Sequence, residues 1–415
     1  MNKIEQGRPR ANTKKPVPHN PNQRRKKKNT QDLILLIVII AIVITVITLI
    51  VLGFNTLING SSEAQENTEN TSSTPSSVLG EYANLSSMEF AEAVSRNDVA
   101  PYLPTPTPSP AEENSIEGEE VGVFGSMVTV GDSGYEYYKY DQTTVESFIS
   151  AVNSSIDKIS TDVEITTMII PSAIDIMLPL SFLEEYDDAT SDQQKTITYI
   201  NSEISDRALT LDIYPIMKAY CNQDIYMERD TIWTSLGAYY ASTTWKSAKG
   251  FDIPLVTSYR EGSAGEQTGY VTRYLGTSAV SEPEEVTYLI SGYDLELTDP
   301  YDDESLGEEV SGTSIFADVT ESSTKMNVFL GGTEAVKEIT NNSNVNGGTI
   351  VIVGDSYSYQ LAPFIAEDYY KTYLIDYTTY SSDLAAFVES VGATDLLYAF
   401  KINATISSSS ISSID

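Results

Sequence analysis

Ile350-Val-Ile-Val-Gly-Asp-Ser-Tyr-Ser358 is the stretch on which the fold turns. Apolar residues run without polar alternation into Gly354-Asp355-Ser356. Such a run predicts a strand buried on both faces. The turn after it presents Ser356 at the strand's carboxyl end, the edge where open α/β sheets carry their chemistry. Downstream the alternation continues, with a helix over Tyr357–Glu367, a strand over Thr372–Ile375, a helix over Asp383–Val391 and a strand over Asp395–Phe400. Strands alternating with helices predict a parallel sheet covered on both sides, an α/β fold.

Upstream, Val121–Val130 and Tyr135–Tyr140 flank Gly131-Asp132-Ser133-Gly134 and read as one hairpin. Helical spacing of Val145, Phe148, Ile149, Val152 and Ile156 predicts a helix over Thr143–Ile159. Val163–Ile170 reads as a strand stopped by Pro171, and Ser191–Asp206 as a helix. Ala208–Ile213 and Ile225–Met227 read as short strands, and Thr234–Lys249 as a helix. From Gly250 to about Thr324 turns and acidic clusters interrupt the pattern, and a β-rich insertion with small antiparallel strands is expected. The globular part is expected to span 121–415.

Charge divides the chain of 415 residues unevenly. Residues 1–32 hold ten Lys or Arg against Glu5 and Asp32. Removing these from the totals of 25 basic and 59 acidic residues leaves 15 and 57, a net of −42 for the rest. A body so acidic argues against nucleic-acid binding. Leu33–Leu52 is twenty residues without a charge, enough at about 1.5 Å per residue for one bilayer core. Residues 33–54 are therefore expected to form a single transmembrane helix. The basic cluster Arg24–Lys28 before it would keep residues 1–32 in the cytoplasm and send the body outside a bacterial cell membrane. Residues 55–120, rich in Ser, Thr and Pro, read as a disordered stalk. Cys221 is the only cysteine, so no intrachain disulfide can form.

A second stretch addresses the serine. Arg229-Asp-Thr-Ile-Trp-Thr-Ser-Leu-Gly-Ala-Tyr-Tyr240, Ile169-Ile-Pro-Ser172, Asn327-Val-Phe-Leu-Gly-Gly332 and Val353-Gly-Asp-Ser-Tyr-Ser358 occur in a definite order. In that order they resemble the DHHW family, a branch of the SGNH-hydrolase superfamily related to alginate-type polysaccharide O-acetyltransferases. The resemblance implies a flavodoxin-like SGNH-type sheet, with Ser356 as nucleophile and Asp230 as the acid of a triad. It places the base at Ile232, where the family has the second histidine of its signature, and Thr231 at the first. A serine hydroxyl is a weak nucleophile until a base takes its proton, and isoleucine accepts none. His19, on the cytoplasmic side of the expected anchor, is the chain's single histidine.

Ordinary structural roles compete for the same residues. Asp230, Asp355 and Ser356 suit helix N-caps. Trp233 and Trp245 suit the core, and Cys221 suits a buried apolar site. Asp355, Trp233 and Tyr357 are the candidate ligand contacts; Tyr357 and Tyr359 suit packing equally. The acidic clusters lack calcium-loop spacing, so neither a metal nor a cofactor is expected. Two functions compete, beside a third class, a purely structural stalk protein that binds no ligand. One is a catalytically degenerate surface domain binding cell-envelope glycan or polysaccharide-assembly proteins. The other is an active serine acyl esterase or O-acetyltransferase on envelope polysaccharide.

Overall fold

The computed structural model describes residues 114–276, 280, 283–298, 313–321 and 325–407. The expected tail, membrane segment and nearly all of the stalk lie outside the described residues, as does the acidic run at 299–312. No helix among the described residues is long and apolar enough to cross a membrane.

The chain begins with β1 (Val121–Phe124), β2 (Met127–Val130) and β3 (Ser133–Glu136), followed by α1 (Gln142–Lys158) and β4 (Glu164–Ile170). Two short helices, α2 (Ala173–Met177) and α3 (Leu180–Glu185), precede α4 (Gln193–Glu203), β5 (Ala208–Leu211), α5 (Tyr214–Ala219) and α6 (Ser235–Lys249). Next come β6 (Arg260–Gln267), α7 (Tyr270–Leu275), β7 (Glu284–Ile290), β8 (Leu295–Thr298), β9 (Thr313–Ser314) and β10 (Val336–Asn341). The last part is β11 (Thr349–Gly354), α8 (Ser358–Ala366), β12 (Lys371–Asp376), α9 (Leu384–Ser390) and β13 (Asp395–Lys401).

The main sheet has eight strands in the order β5-β4-β13-β11-β12-β10-β8-β9. The first five are parallel; β10, β8 and β9 join by antiparallel pairing. Counted from β11, the parallel strands stand in spatial order 2-1-3-4-5, the flavodoxin-like arrangement. The chain reaches it in permuted form, because β4 and β5, last in that order, come first in sequence. β11 is flanked by β12 and β13, so the topological switch point falls where β11 ends. Ser356 follows at once.

β13 shows how side-chain period two sorts the sheet's faces. Tyr398 bonds Ser155 of α1 at 2.7 Å, and Phe400 meets Phe148 of α1 edge-on at 5.3 Å. Asp395, on the other face, pairs with Lys249 of α6. α8 lies against α6 on that second face and is buried at all nine positions, as its nearly apolar sequence requires. Side-chain caps close four helix starts: Asp141 for α1, Asp192 for α4, Thr234 for α6 and Asp383 for α9.

Several expectations are corrected. The first hairpin is two hairpins, because Gly125 (φ 62°) starts an additional two-residue turn between Phe124 and Met127. Ile225–Met227 is no strand; it contributes one bridge, Tyr226 to Trp233. The insertion is less separate than expected: β6 and β7 form their own ribbon, but β8 and β9 extend the main sheet beyond β10. The sheet is thus mixed, not wholly parallel.

α2 buries a charge with a measurable consequence. Asp175 is 3% exposed, and burial pushes its carboxyl from 3.8 to about 6, against the hydrogen bond from Tyr214 and with the charge of Asp192. Between about pH 4 and 6 the folded state therefore holds more protons than the unfolded one. Stability falls as pH rises through that window, and the loss persists at neutral pH. Asp175→Asn, which can still accept from Tyr214, is expected to flatten this decline and gain up to about 3 kcal/mol at pH 7. Urea unfolding at pH 4, 5, 6 and 7 checks it; parallel curves for the two proteins would contradict it.

Candidate functional site

Ser356 is the sole residue from Ile350 to Glu367 that is not buried. Tight packing on either side lifts it to the surface. Asp355 accepts from the Tyr357 N–H at 3.0 Å and from the Lys401 N–H at 2.9 Å, fixing the turn to the end of β13. Ser358 Oγ donates to the Ala399 carbonyl at 3.2 Å. A Cβ on Gly354 would fall 1.9 Å from Ser358 Oγ and 2.6 Å from the Ala399 oxygen, so only glycine permits this close turn. Ser356 is not the cap of α8; Tyr357 occupies the cap position, and no side chain serves there.

The loop Met227–Ile232 lies against this turn. It is closed by Met227 N–H to the Ile232 carbonyl and Thr234 N–H to the Ile225 carbonyl, both at 3.0 Å. Gly237 in the first turn of α6 leaves room for the Ile225 carbonyl, 2.2 Å from where a Cβ would stand. Two bonds then join loop and turn: Tyr357 donates its hydroxyl to the Thr231 carbonyl at 2.8 Å, and Trp233 Nε1–H donates to the Tyr357 carbonyl at 3.0 Å. Their rings sit 5.2 Å apart. Two segments about 125 residues apart in sequence thus meet at one sheet edge. Ile232 stands between Thr231 and Trp233, both bonded to the neighbour of Ser356, and is itself 8% exposed.

Asp230 reaches the same region, but its oxygens are taken. Oδ1 accepts from the Thr231 N–H at 2.8 Å; Oδ2 accepts from Gln267 Nε2 at 3.1 Å and from the Tyr270 N–H at 3.0 Å. It therefore ties the loop to α7 and does not cap α6. Burial raises its carboxyl, opposed by these backbone bonds and by Arg273 and Lys401.

The three residues read as ligand contacts take structural positions instead. Trp233 is 0% exposed, Tyr357 1% and Asp355 4%, so none offers a free face or lone pair at the surface. Trp245 and Cys221 are buried, in keeping with their packing roles. Tyr359 is buried as well, its hydroxyl within hydrogen-bond reach of Asp376 and the Glu334 carbonyl. Lys371 lies at the opposite end of the sheet, paired with Glu338, and Lys337 is buried within β10.

Lys401 and Glu136 belong to the site although neither stands near Ser356 in sequence. The register pairs Gly354 with Ala399, so two residues further on Ser356 and Lys401 leave adjacent strand ends. Alternation along β13 puts Lys401 on the face of Asp395, toward α6 and the loop that feeds it. Its charge opposes the burial-driven rise of three carboxyls: Glu136, Asp230 and Asp355. The sheet register was the signal that could have found it. Among the described residues no cluster of His, Cys, Asp and Glu could hold a metal.

The sequence profile described as "DHHW protein" matches residues 96–375. The chain belongs to the DHHW family. Its fold is similar to a DHHW family protein from Eubacterium siraeum, at 22% identity and a TM-score of 0.64, over 71% of this chain and 96% of that one. It is similar also to PatB1 of Bacillus cereus, at 13% identity and TM-score 0.53, over 71% of this chain and 99% of PatB1. The structure of PatB1 with a sulfonyl adduct aligns at 14% identity and TM-score 0.55, over 71% and 98% of the two chains. No curated protein matches the sequence. This DHHW domain thus shares its mixed α/β fold with these structures.

Proposed function

We propose that this DHHW domain is catalytically degenerate and serves at the bacterial cell surface by binding envelope polysaccharide, held there by residues 33–54. The observation that carries the reading is Ile232 at the base position, clamped between two residues bonded to Tyr357. Lys401, whose strand end adjoins that of Ser356, is a lysine, a side chain that donates hydrogen bonds and accepts none. The glycan follows from the family's relation to polysaccharide O-acetyltransferases, and the acidic body speaks against nucleic acid. Neither a cofactor nor a metal enters this reading.

An active acyl esterase or O-acetyltransferase is the competing reading, favoured by the exposure of Ser356. The sulfonyl adduct in the PatB1 structure supplies a probe that separates the two. The full-length chain, treated with phenylmethylsulfonyl fluoride and weighed intact, is expected to carry no adduct. Labelling that disappears in Ser356→Ala would establish an activated serine and the competing reading.

A further inference from the structure

α7 displays two tyrosines that the core does not use. Tyr270 is 38% exposed and Tyr274 55%; their rings stack at 5.8 Å between centroids and 25° between planes. The helix beneath them is firmly seated. Gly269 approaches the signature loop so closely that a Cβ would stand 1.8 Å from the Arg229 carbonyl oxygen. Val271 N–H donates to that oxygen at 3.1 Å, and its side chain is fully buried with Met127 and Val280. Gly134 makes room for Val271 on the facing hairpin. The first N–H of the helix, from Tyr270, is the one held by Asp230.

The pair therefore stands at a fixed place beside the Asp230 loop. The charges of Glu136 and Asp230 both reach the Tyr270 phenol. An exposed stacked aromatic pair, rigidly mounted beside acidic side chains, is the arrangement that receives a ligand with apolar faces and hydroxyl edges. A pyranose ring is such a ligand. Glu136 is suited to accept from hydroxyls, and its charge and that of Asp230 outweigh the opposing charge of Arg273 at the Tyr270 phenol, so a carboxylate or sulfate is repelled and charge complementarity selects an uncharged sugar.

We infer that Tyr270 and Tyr274 form a stacking subsite for an uncharged or N-acetylated pyranose segment, mounted on the Asp230 loop that meets the serine turn. This inference rests on the polysaccharide-binding reading and names the part of the surface that carries it. Arg273, between the two tyrosines in sequence, donates to the Thr268 carbonyl and belongs to the mount and not to the platform.

The test is calorimetric titration of the full-length chain with chitotetraose, cellotetraose and, as the anionic comparison, a tetramer of mannuronate. Binding of a neutral tetrasaccharide is expected. It should weaken about tenfold or more in Tyr270→Ala/Tyr274→Ala, and remain within about threefold in Tyr270→Phe/Tyr274→Phe. Equal affinity in the alanine double variant overturns the subsite and leaves the glycan reading standing. Preference for the mannuronate overturns the uncharged class. No binding of any tetramer overturns subsite and glycan reading together.

Discussion

Trp233→Ala is expected to lower the free energy of unfolding by about 4–5 kcal/mol, the upper part of the range for a buried aromatic. The ring is fully buried in the main core and lies 5.2 Å from the Tyr357 ring, so truncation leaves a cavity beside the serine turn. It also strips the Tyr357 carbonyl of its 3.0 Å donor. Trp233→Phe, which keeps most of the volume but not the donor, should recover all but about 1–2 kcal/mol. Equilibrium urea unfolding of the variants measures both. A loss below about 1 kcal/mol for the alanine variant would show that Trp233 is not the clamp between loop and turn.

Lys246→Ala should be comparably severe at neutral pH, costing about 3–5 kcal/mol. Lys246 lies inside α6, and its ammonium reaches Glu367 at 3.1 Å and Asp368 at 2.5 Å, with side chains 2%, 1% and 11% exposed. Burial raises both carboxyls above their usual values, and Lys246 is the main group that opposes the rise. Without it two poorly solvated carboxylates face each other and Tyr259, whose hydroxyl donates to Glu367 at 2.9 Å. Their folded-state values climb further, so the unfolded state more readily sheds those protons. The defect is then largest above the folded values and shrinks as acid protonates the pair. A variant equally destabilised at pH 4 and pH 7.5 would contradict this.

The sheet's centre was legible because burial on both faces leaves an uninterrupted apolar run, as in β11 and β13, and because helices follow at regular distance. Its antiparallel margin was not. β8, β9 and β10 mix polar with apolar residues and lie amid acidic turns, so neither period is marked. β10 in particular was passed over, although it brings Lys337 into the interior. The Gly125-Ser126 turn was present in the sequence but lay inside what reads as one strand. Short α2, α3 and α5 have too few residues to show a period.

At the site, the meeting of Ser356 with the signature loop followed from paired motifs, and the structure joins them through Tyr357. Trp233, Tyr357 and Asp355, read from the sequence as ligand contacts, are buried and hold the loop and the serine turn. Residues that hold a functional loop in place carry the same polar and aromatic chemistry as residues that touch a ligand, and burial alone separates them. Lys401 was missed because strand register, not sequence distance, brings it to the serine, and Glu136 because it reaches the site from the separate three-stranded sheet.

The central claim is that Ser356 lacks a base, and hydrolysis of a simple acetyl ester tests it most directly. Losing the base from a serine triad costs about four or more orders of magnitude in rate. The full-length chain and its Ser356→Ala variant, assayed side by side with 4-nitrophenyl acetate, should give the same rate above buffer. Turnover by the wild-type chain that vanishes in Ser356→Ala would contradict the account, because some other group would then be taking the serine proton.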